Sequence, residues 1–137
     1  MFFAAMPAAA EVIVNEKVDF DRHVTLPDGI NVHLQGELHE KIGLTLDKSG
    51  GFHLTNHYQP INVKGVGSNG ETYIANGLTR WNLNGNVGSE STWVNIYHIV
   101  GTGKDTKTYL VSQTTHFTVN ANGDVVTSFR HTTVTYK

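Results

Sequence analysis

The residues best suited to chemistry in this chain are its eight histidines, because cysteine is absent and thiolate chemistry is therefore excluded. Two of them, His53 and His57, stand four residues apart in the segment FHLTNHYQ. Imidazole binds transition metals and exchanges protons near neutral pH. The pair therefore suggests either a metal site or a general base. Whether the two histidines form a site or only part of a polar face depends on the secondary structure that carries them.

The elements that carry these histidines are predicted to be β-strands, because apolar residues recur at every second position and no window shows a sustained helical period. Residues 12–24 alternate in this way and end at the turn sequence LPDGI. The next strand has one apolar row, formed by Val32, Leu34, Gly36, Leu38, Ile42, Leu44 and Leu46. Its other row is polar and consists of His33, Gln35, Glu37, His39 and Lys41. We expect the first row to face the core and the second to face solvent.

Glycine-containing turns separate the predicted strands. The sequence DKSGGF predicts a hairpin with a three-residue loop, in which Gly50 adopts a left-handed conformation. That register pairs Thr45 with His53, Lys41 with His57 and His39 with Gln59. Asn69-Gly70 predicts the next hairpin. Further strands are predicted near residues 72–83, 92–100, 108–119 and 125–136.

The predicted fold is all-β, an antiparallel meander of seven or eight long strands in a single domain over residues 11–137. A meander of long strands has exposed edges unless it closes, so an up-and-down barrel is the expected architecture. A two-sheet sandwich is the alternative, although it needs longer connections than the sequence offers.

On a strand, His53 and His57 point the same way but lie about 13 Å apart, which is too far for one ion. A metal site would have to be built across strands, and the proposed register sets His39 diagonal to His57. Lys41 faces His57 directly, and a cation there disfavours metal binding. His39 and His57 are therefore only weak metal candidates, and we predict neither a metal nor another cofactor.

Catalysis would require the polar row to face the lumen, with Glu37 or His39 as the proton carrier. The continuous apolar row is the better candidate for the lumen, and no second carboxylate complements Glu37. Nucleophile motifs and phosphate-binding glycine loops are also absent. An enzyme is thus the less favoured interpretation, and its form would be a cofactor-free cyclase or isomerase, as in barrels resembling allene oxide cyclase.

Binding of a small apolar molecule in the lumen is the preferred function. The predicted lining residues lie on the apolar rows and are Leu34, Leu38, Phe52, Leu54, Tyr58, Trp81, Ile96 and Phe117. The alternative is that these side chains fill the interior completely, because a barrel of about eight strands is near the size at which either outcome occurs.

The net charge and the N-terminal segment indicate which partners the protein has and in which cellular compartment it works. The formal net charge is −2 and no basic run occurs, which argues against nucleic acid as a partner. Residues 1–10, in MFFAAMPAAAEV, predict a signal-peptide remnant or an apolar tail, and hence a secreted or periplasmic protein. No apolar run reaches the length of a transmembrane helix. A homo-oligomer is left open, in which the apolar segment adds a strand to a neighbouring copy.

The segment FHLTNHYQPINVKGVGSNGETYIANGLTRWNLN, followed later by THFTVNANGDVV, resembles a group of small secreted bacterial proteins of unknown function. The counterparts of that group's hairpin motifs are residues 36–39, 65–73 and 118–123. The resemblance implies a secreted barrel that is lipocalin-like or calycin-like in architecture, and it supplies no catalytic residues. Members of the group often carry a cysteine pair, and this chain has none.

Overall fold

The computed structural model of the protein describes the backbone of residues 11–137 and the side chains of residues 14–137. The predicted signal remnant or tail at residues 1–10 lies outside the described residues. The all-β prediction is confirmed: the strands are β1 (Glu11–Thr25), β2 (Asn31–Leu46), β3 (Gly51–Gly67), β4 (Thr72–Asn76), β5 (Thr79–Asn86), β6 (Glu90–Gly101), β7 (Thr108–Val119) and β8 (Val125–Tyr136). Across residues 11–137, no helix has the length and apolarity needed to span a membrane.

The strands form one antiparallel sheet in the order β1-β2-β3-β4-β6-β7-β8, and β5 pairs with β3 beside β4. This is the predicted up-and-down meander, strongly curled into a half-barrel rather than divided into two sheets. Within residues 11–137 no backbone ladder joins β1 to β8. We call the gap between these two strands the seam.

The predicted β2–β3 hairpin is confirmed in its turn and its register. Gly50 has a φ of 86°, which is the left-handed conformation that glycine adopts most easily. The pairs Thr45–His53, Lys41–His57 and His39–Gln59 all occur. The short loop fixes the register because its length leaves only one way to pair the strands.

The prediction of one strand over residues 72–83 is corrected by a break at Gly77, which separates β4 from β5. Gly77 has a φ of 135°, and a Cβ at this position would lie 3.2 Å from the Cα of Tyr97. Beyond the break, β5 follows β3 while β6 pairs only with β4 and β7. Trp81 and Trp93 stack across the resulting gap between β5 and β6, with ring centroids 5.4 Å apart.

The alternation of β3 shifts at Asn62, an extra residue with a φ of 51° in a β-bulge. Before the bulge the buried side chains have even numbers, as at Tyr58, and after it they have odd numbers, as at Val63. The bulge therefore keeps one continuous inner face along a strand that curls strongly.

The inner face carries two apolar clusters. The first contains Phe20, Val24, Leu34, Leu38, Tyr58, Tyr73, Tyr97, Tyr109 and Val111, among others. The second contains Leu44, Phe52, Leu54, Phe117 and Val119, with Trp81 and Trp93 packed against it. Burying these side chains drives the curling of the sheet, because a flat sheet would leave the whole face in water.

Candidate functional site

Polar side chains occupy the inner face between the two apolar clusters. They follow the same alternation as the buried apolar residues of their strands, so they point inward. We call them the polar belt, and its members are Glu16, Arg22, Glu40, Asn56, Asn95, Thr115 and Arg130, together with the hydroxyl groups of Tyr58 and Tyr97.

The amide part of the polar belt is hydrogen-bonded and structural. Asn56 Nδ2 donates to Asn95 Oδ1 over 3.0 Å, and Trp81 Nε1 donates to the same oxygen over 3.2 Å. These bonds join β3, β5 and β6 where β5 and β6 share no ladder. Asn95 therefore replaces part of the missing backbone pairing.

The charged part of the polar belt lies nearer the seam. Burial raises the pKa of Glu40 and the neighbouring Glu16 raises it further, while Arg130 and Arg22 oppose both effects. Within residues 14–137, no ion pair uses Glu40, Arg22 or Arg130. Arg22 and Glu40 are half-buried, whereas Glu16 and Arg130 are exposed, and the four charges influence one another without direct pairing.

Two polar atoms of the belt are buried and have no hydrogen-bond partner in the described part of the chain, Arg22 Nε and Tyr58 Oη. Burial raises the pKa of Tyr58, and the nearby guanidinium of Arg22 acts in the opposite direction. Arg22 Cζ also lies 5.2 Å from the ring centroid of Phe20. Unpartnered buried donors are costly, so they mark positions where a bound group would be stabilised.

The seam opens into the interior through a depression of about 340 Å³. Arg22 and Val24 line it from β1, Tyr97 and Gln113 from β6 and β7, and Thr132 and Val134 from β8. The depression therefore combines one cation, hydrogen-bonding groups and an apolar wall. Its volume suits a small molecule rather than a chain segment.

All the predicted lining residues except Ile96 lie on the inner face. Most of them, such as Leu34 and Phe117, are packed into the apolar clusters rather than exposed to a cavity. Ile96 lies on the outer face and is 37% exposed. The inner row of β6 is instead Trp93, Asn95 and Tyr97, because the two large aromatic side chains bury more area than Val94 and Ile96 would.

The weak catalytic and metal candidates all lie on the outer face. Glu37 is exposed, and His39 donates from Nε2 to Asn15 Oδ1 over 2.9 Å. The ring centroids of His39 and His57 are 4.9 Å apart. Burial, which Lys41 and Arg80 reinforce, lowers the pKa of His57.

A second depression, of about 470 Å³, crosses the outer face beside His57 and is bordered by Lys41, Gly43, Thr55, Arg80 and Asn82. It is larger than the depression at the seam. Trp81 gives it an apolar wall, and His57 Nε2 is buried there without a partner among the described residues. However, its two cations, Lys41 and Arg80, are exposed, whereas Arg22 at the seam is half-buried. We therefore take the seam, with the unpartnered donors behind it, as the candidate site.

The sequence prediction missed Arg22, Glu40 and Tyr97 as site residues. A signal was present, because Arg22 and Glu40 interrupt apolar rows that continue on both sides of them. A charged residue within such a row points inward, and there it needs a partner or a function.

Comparisons with protein families, with curated proteins and with solved structures find no match to this chain. The functional interpretation therefore depends on the chain's own residues. They define a curled antiparallel sheet with a mixed polar and apolar interior that opens at the seam between β1 and β8.

Proposed function

We propose that the protein binds a small amphiphilic molecule through the seam, with an anionic or hydrogen-bond-accepting group against Arg22 and an apolar body against Val24 and Val134. The observation that carries this proposal is the pair of buried, unpartnered donors, Arg22 Nε and Tyr58 Oη. A bound acceptor would satisfy Arg22, which lines the depression, and the hydroxyl of Tyr58 lies beside that guanidinium, so the free energy of burial would then favour binding.

A carboxylate or sulfonate fits these donors best. A guanidinium binds such a group through charge-assisted hydrogen bonds, which are shorter and stronger than those between neutral groups. Tyr97 supplies both apolar surface and a hydroxyl at the depression. The proposed ligand therefore differs from the purely apolar one that the apolar rows predict.

A cofactor-free enzyme is the second candidate, and the raised pKa of Glu40 is the observation that favours it. In that case Glu40, and not Glu37 or His39, would carry the proton. Binding has the stronger support because no second group is hydrogen-bonded to the Glu40 carboxylate within the described residues, as an acid–base pair would require. Strand exchange through residues 1–10 and export from the cell stay predictions from the sequence.

The test compares two fluorescent probes of similar shape, anionic 1-anilinonaphthalene-8-sulfonate and uncharged N-phenyl-1-naphthylamine. We expect the wild-type chain to bind the anionic probe more tightly. Arg22→Gln should lower the affinity for the anionic probe about tenfold and leave the affinity for the neutral probe unchanged, because only the charge-assisted bonds are lost.

Arg80→Gln is the matched control, because it removes the same charge from the outer face. Near-UV circular dichroism of each variant checks that the fold is kept. An equal loss of affinity for the anionic probe in Arg22→Gln and Arg80→Gln would overturn the proposal. An absence of binding by the wild-type chain would overturn it as well.

A further inference from the structure

Three side chains with metal-binding chemistry meet on the outer face of the β1–β2 hairpin. His23 pairs directly with His33 across the two strands, and Asp21 lies two residues before His23 on the same face. The imidazole rings of His23 and His33 stack with centroids 4.1 Å apart. His33 Nε2 is hydrogen-bonded to Asp21 Oδ1 over 2.7 Å. One ligand atom from each residue lies within 4.8 Å of the other two.

We propose that Asp21, His23 and His33 bind a divalent transition-metal ion through two imidazole nitrogens and one carboxylate oxygen. Zinc–nitrogen bonds of about 2.0–2.1 Å in a tetrahedral site put the ligand atoms about 3.3 Å apart. Side-chain rotation alone can close the remaining distance, because both histidines project from directly paired backbone positions. Imidazole with a carboxylate suits zinc, copper and nickel.

The surrounding charges favour a cation at this position. Asp19 continues the same face of β1 and pairs with Glu37 of β2, so two further carboxylates lie along the hairpin. Lys64 is on β3 opposite Gln35, and strand β2 separates it from Asp21. The predicted pair His39 and His57 lacks this advantage, because Lys41 and Arg80 raise the local positive charge there.

Three protein ligands leave one or more coordination positions open to solvent. The side chains of His33 and Asp21 are 40% and 57% exposed, so an ion can enter and an external ligand can reach it. The site lies on the outer side of the sheet, whereas the polar belt lies on the inner side. His23 also borders the seam depression, whereas Asp21 and His33 do not. Substitution of Asp21 or His33 can therefore abolish metal binding without removing a group that lines the seam.

The test uses the full chain, stripped with a chelator and titrated with Zn²⁺ in a calorimeter and with Cu²⁺ by electron paramagnetic resonance. We expect one ion per chain and nitrogen hyperfine structure from two imidazoles. His33→Gln should weaken Zn²⁺ binding at least tenfold and remove one nitrogen from the copper spectrum. Asp21→Asn should weaken binding while both nitrogens stay in the spectrum.

His53→Gln is the matched control, because His53 is also exposed on the outer face and bonds only to Asn84 of β5 among the described residues. It should leave stoichiometry and affinity unchanged. His23→Gln gives an independent loss of the second nitrogen. Zn²⁺ affinity that is the same in the wild type, His33→Gln and His53→Gln would overturn the proposal.

Discussion

Two pairs of tyrosines in the same apolar cluster, Tyr73 with Tyr109 and Tyr58 with Tyr97, differ in how their hydroxyl groups are bonded. Tyr73 and Tyr109 donate to the same carboxylate oxygen, Oδ2 of Asp105, over 2.7 and 2.9 Å. Tyr58 is equally buried, yet its hydroxyl has no partner in the described part of the chain. The first pair closes one end of the half-barrel as structure, whereas the second leaves the hydroxyl of Tyr58 unpartnered in the described part of the interior.

The carboxylate of Asp105 is fixed before the tyrosines reach it. It follows strand β6 and accepts a hydrogen bond from the backbone N–H of Lys107 over 3.0 Å. The bond from Tyr73, then that backbone bond, lower the pKa of Asp105. Burial, reinforced by Asp105, raises the pKa of Tyr73 to about 12. Tyr109 also donates to Asp28 Oδ2 over 3.2 Å, so this end of the molecule is a closed network of two acids and two phenols.

The largest effect should come from Asp105→Ala, which leaves the buried hydroxyl of Tyr73 without an acceptor among the described residues and leaves Tyr109 with only Asp28 Oδ2, 3.2 Å away. We expect the free energy of unfolding to fall by about 3 kcal/mol, since one unsatisfied buried hydroxyl costs roughly 1–3 kcal/mol and the charge-assisted bond from Tyr109 to Asp105 is lost as well. Urea unfolding measures the change. Asp19→Ala, an exposed carboxylate of β1, should stay within about 0.5 kcal/mol. Equal effects would show that the network does not stabilise the fold.

Alkaline pH should destabilise the protein next most strongly. The folded pKa of Tyr73 lies above the unfolded value of about 10, so its contribution is complete below pH 10 and is lost as pH rises toward 12. The loss should be on the order of 2 kcal/mol. Urea midpoints between about pH 8 and about pH 12 measure it. Tyr73→Phe should flatten this dependence, and an unchanged slope would contradict the assignment.

Single hydroxyl deletions should give the smallest effects and separate the two tyrosine pairs most cleanly. Tyr109→Phe removes a hydrogen-bonded hydroxyl and should cost about 1 kcal/mol. Tyr58→Phe removes an unpartnered one and should leave stability unchanged or slightly raised. The same Tyr58→Phe variant should bind the anionic probe more weakly. A stability loss as large as that of Tyr109→Phe would remove the contrast between the pairs.

Much of the fold follows from local sequence signals. Strict alternation predicts which face of β2 is buried, and the short loop at Gly50 predicts the register of the β2–β3 hairpin. The break at Gly77 is not predicted, because it depends on the close approach of Tyr97 from another strand. Local patterns describe strands and turns, but they do not show where a strand changes its partner.

The candidate site is less predictable from the sequence than the strands are, because it too depends on contacts between distant strands. Arg130 acts on Glu40 from the opposite end of the strand order, and only the curling of the sheet brings them near. The pairing of His23 with His33 depends on the LPDGI turn, whose loop length sets that register. Alternation alone assigns both histidines to the surface and says nothing of their contact.

The order of the strands also has a consequence for the folding pathway. Most of the ladders join strands that are adjacent in the chain, so hairpins can form one after another with short loops to close. The exceptions are the ladder between β3 and β5 and the ladder between β4 and β6, because β5 leaves the sequential order and pairs with β3. We therefore expect a sheet that folds rapidly for its size, with the zipping of β6 onto β4 as its late step.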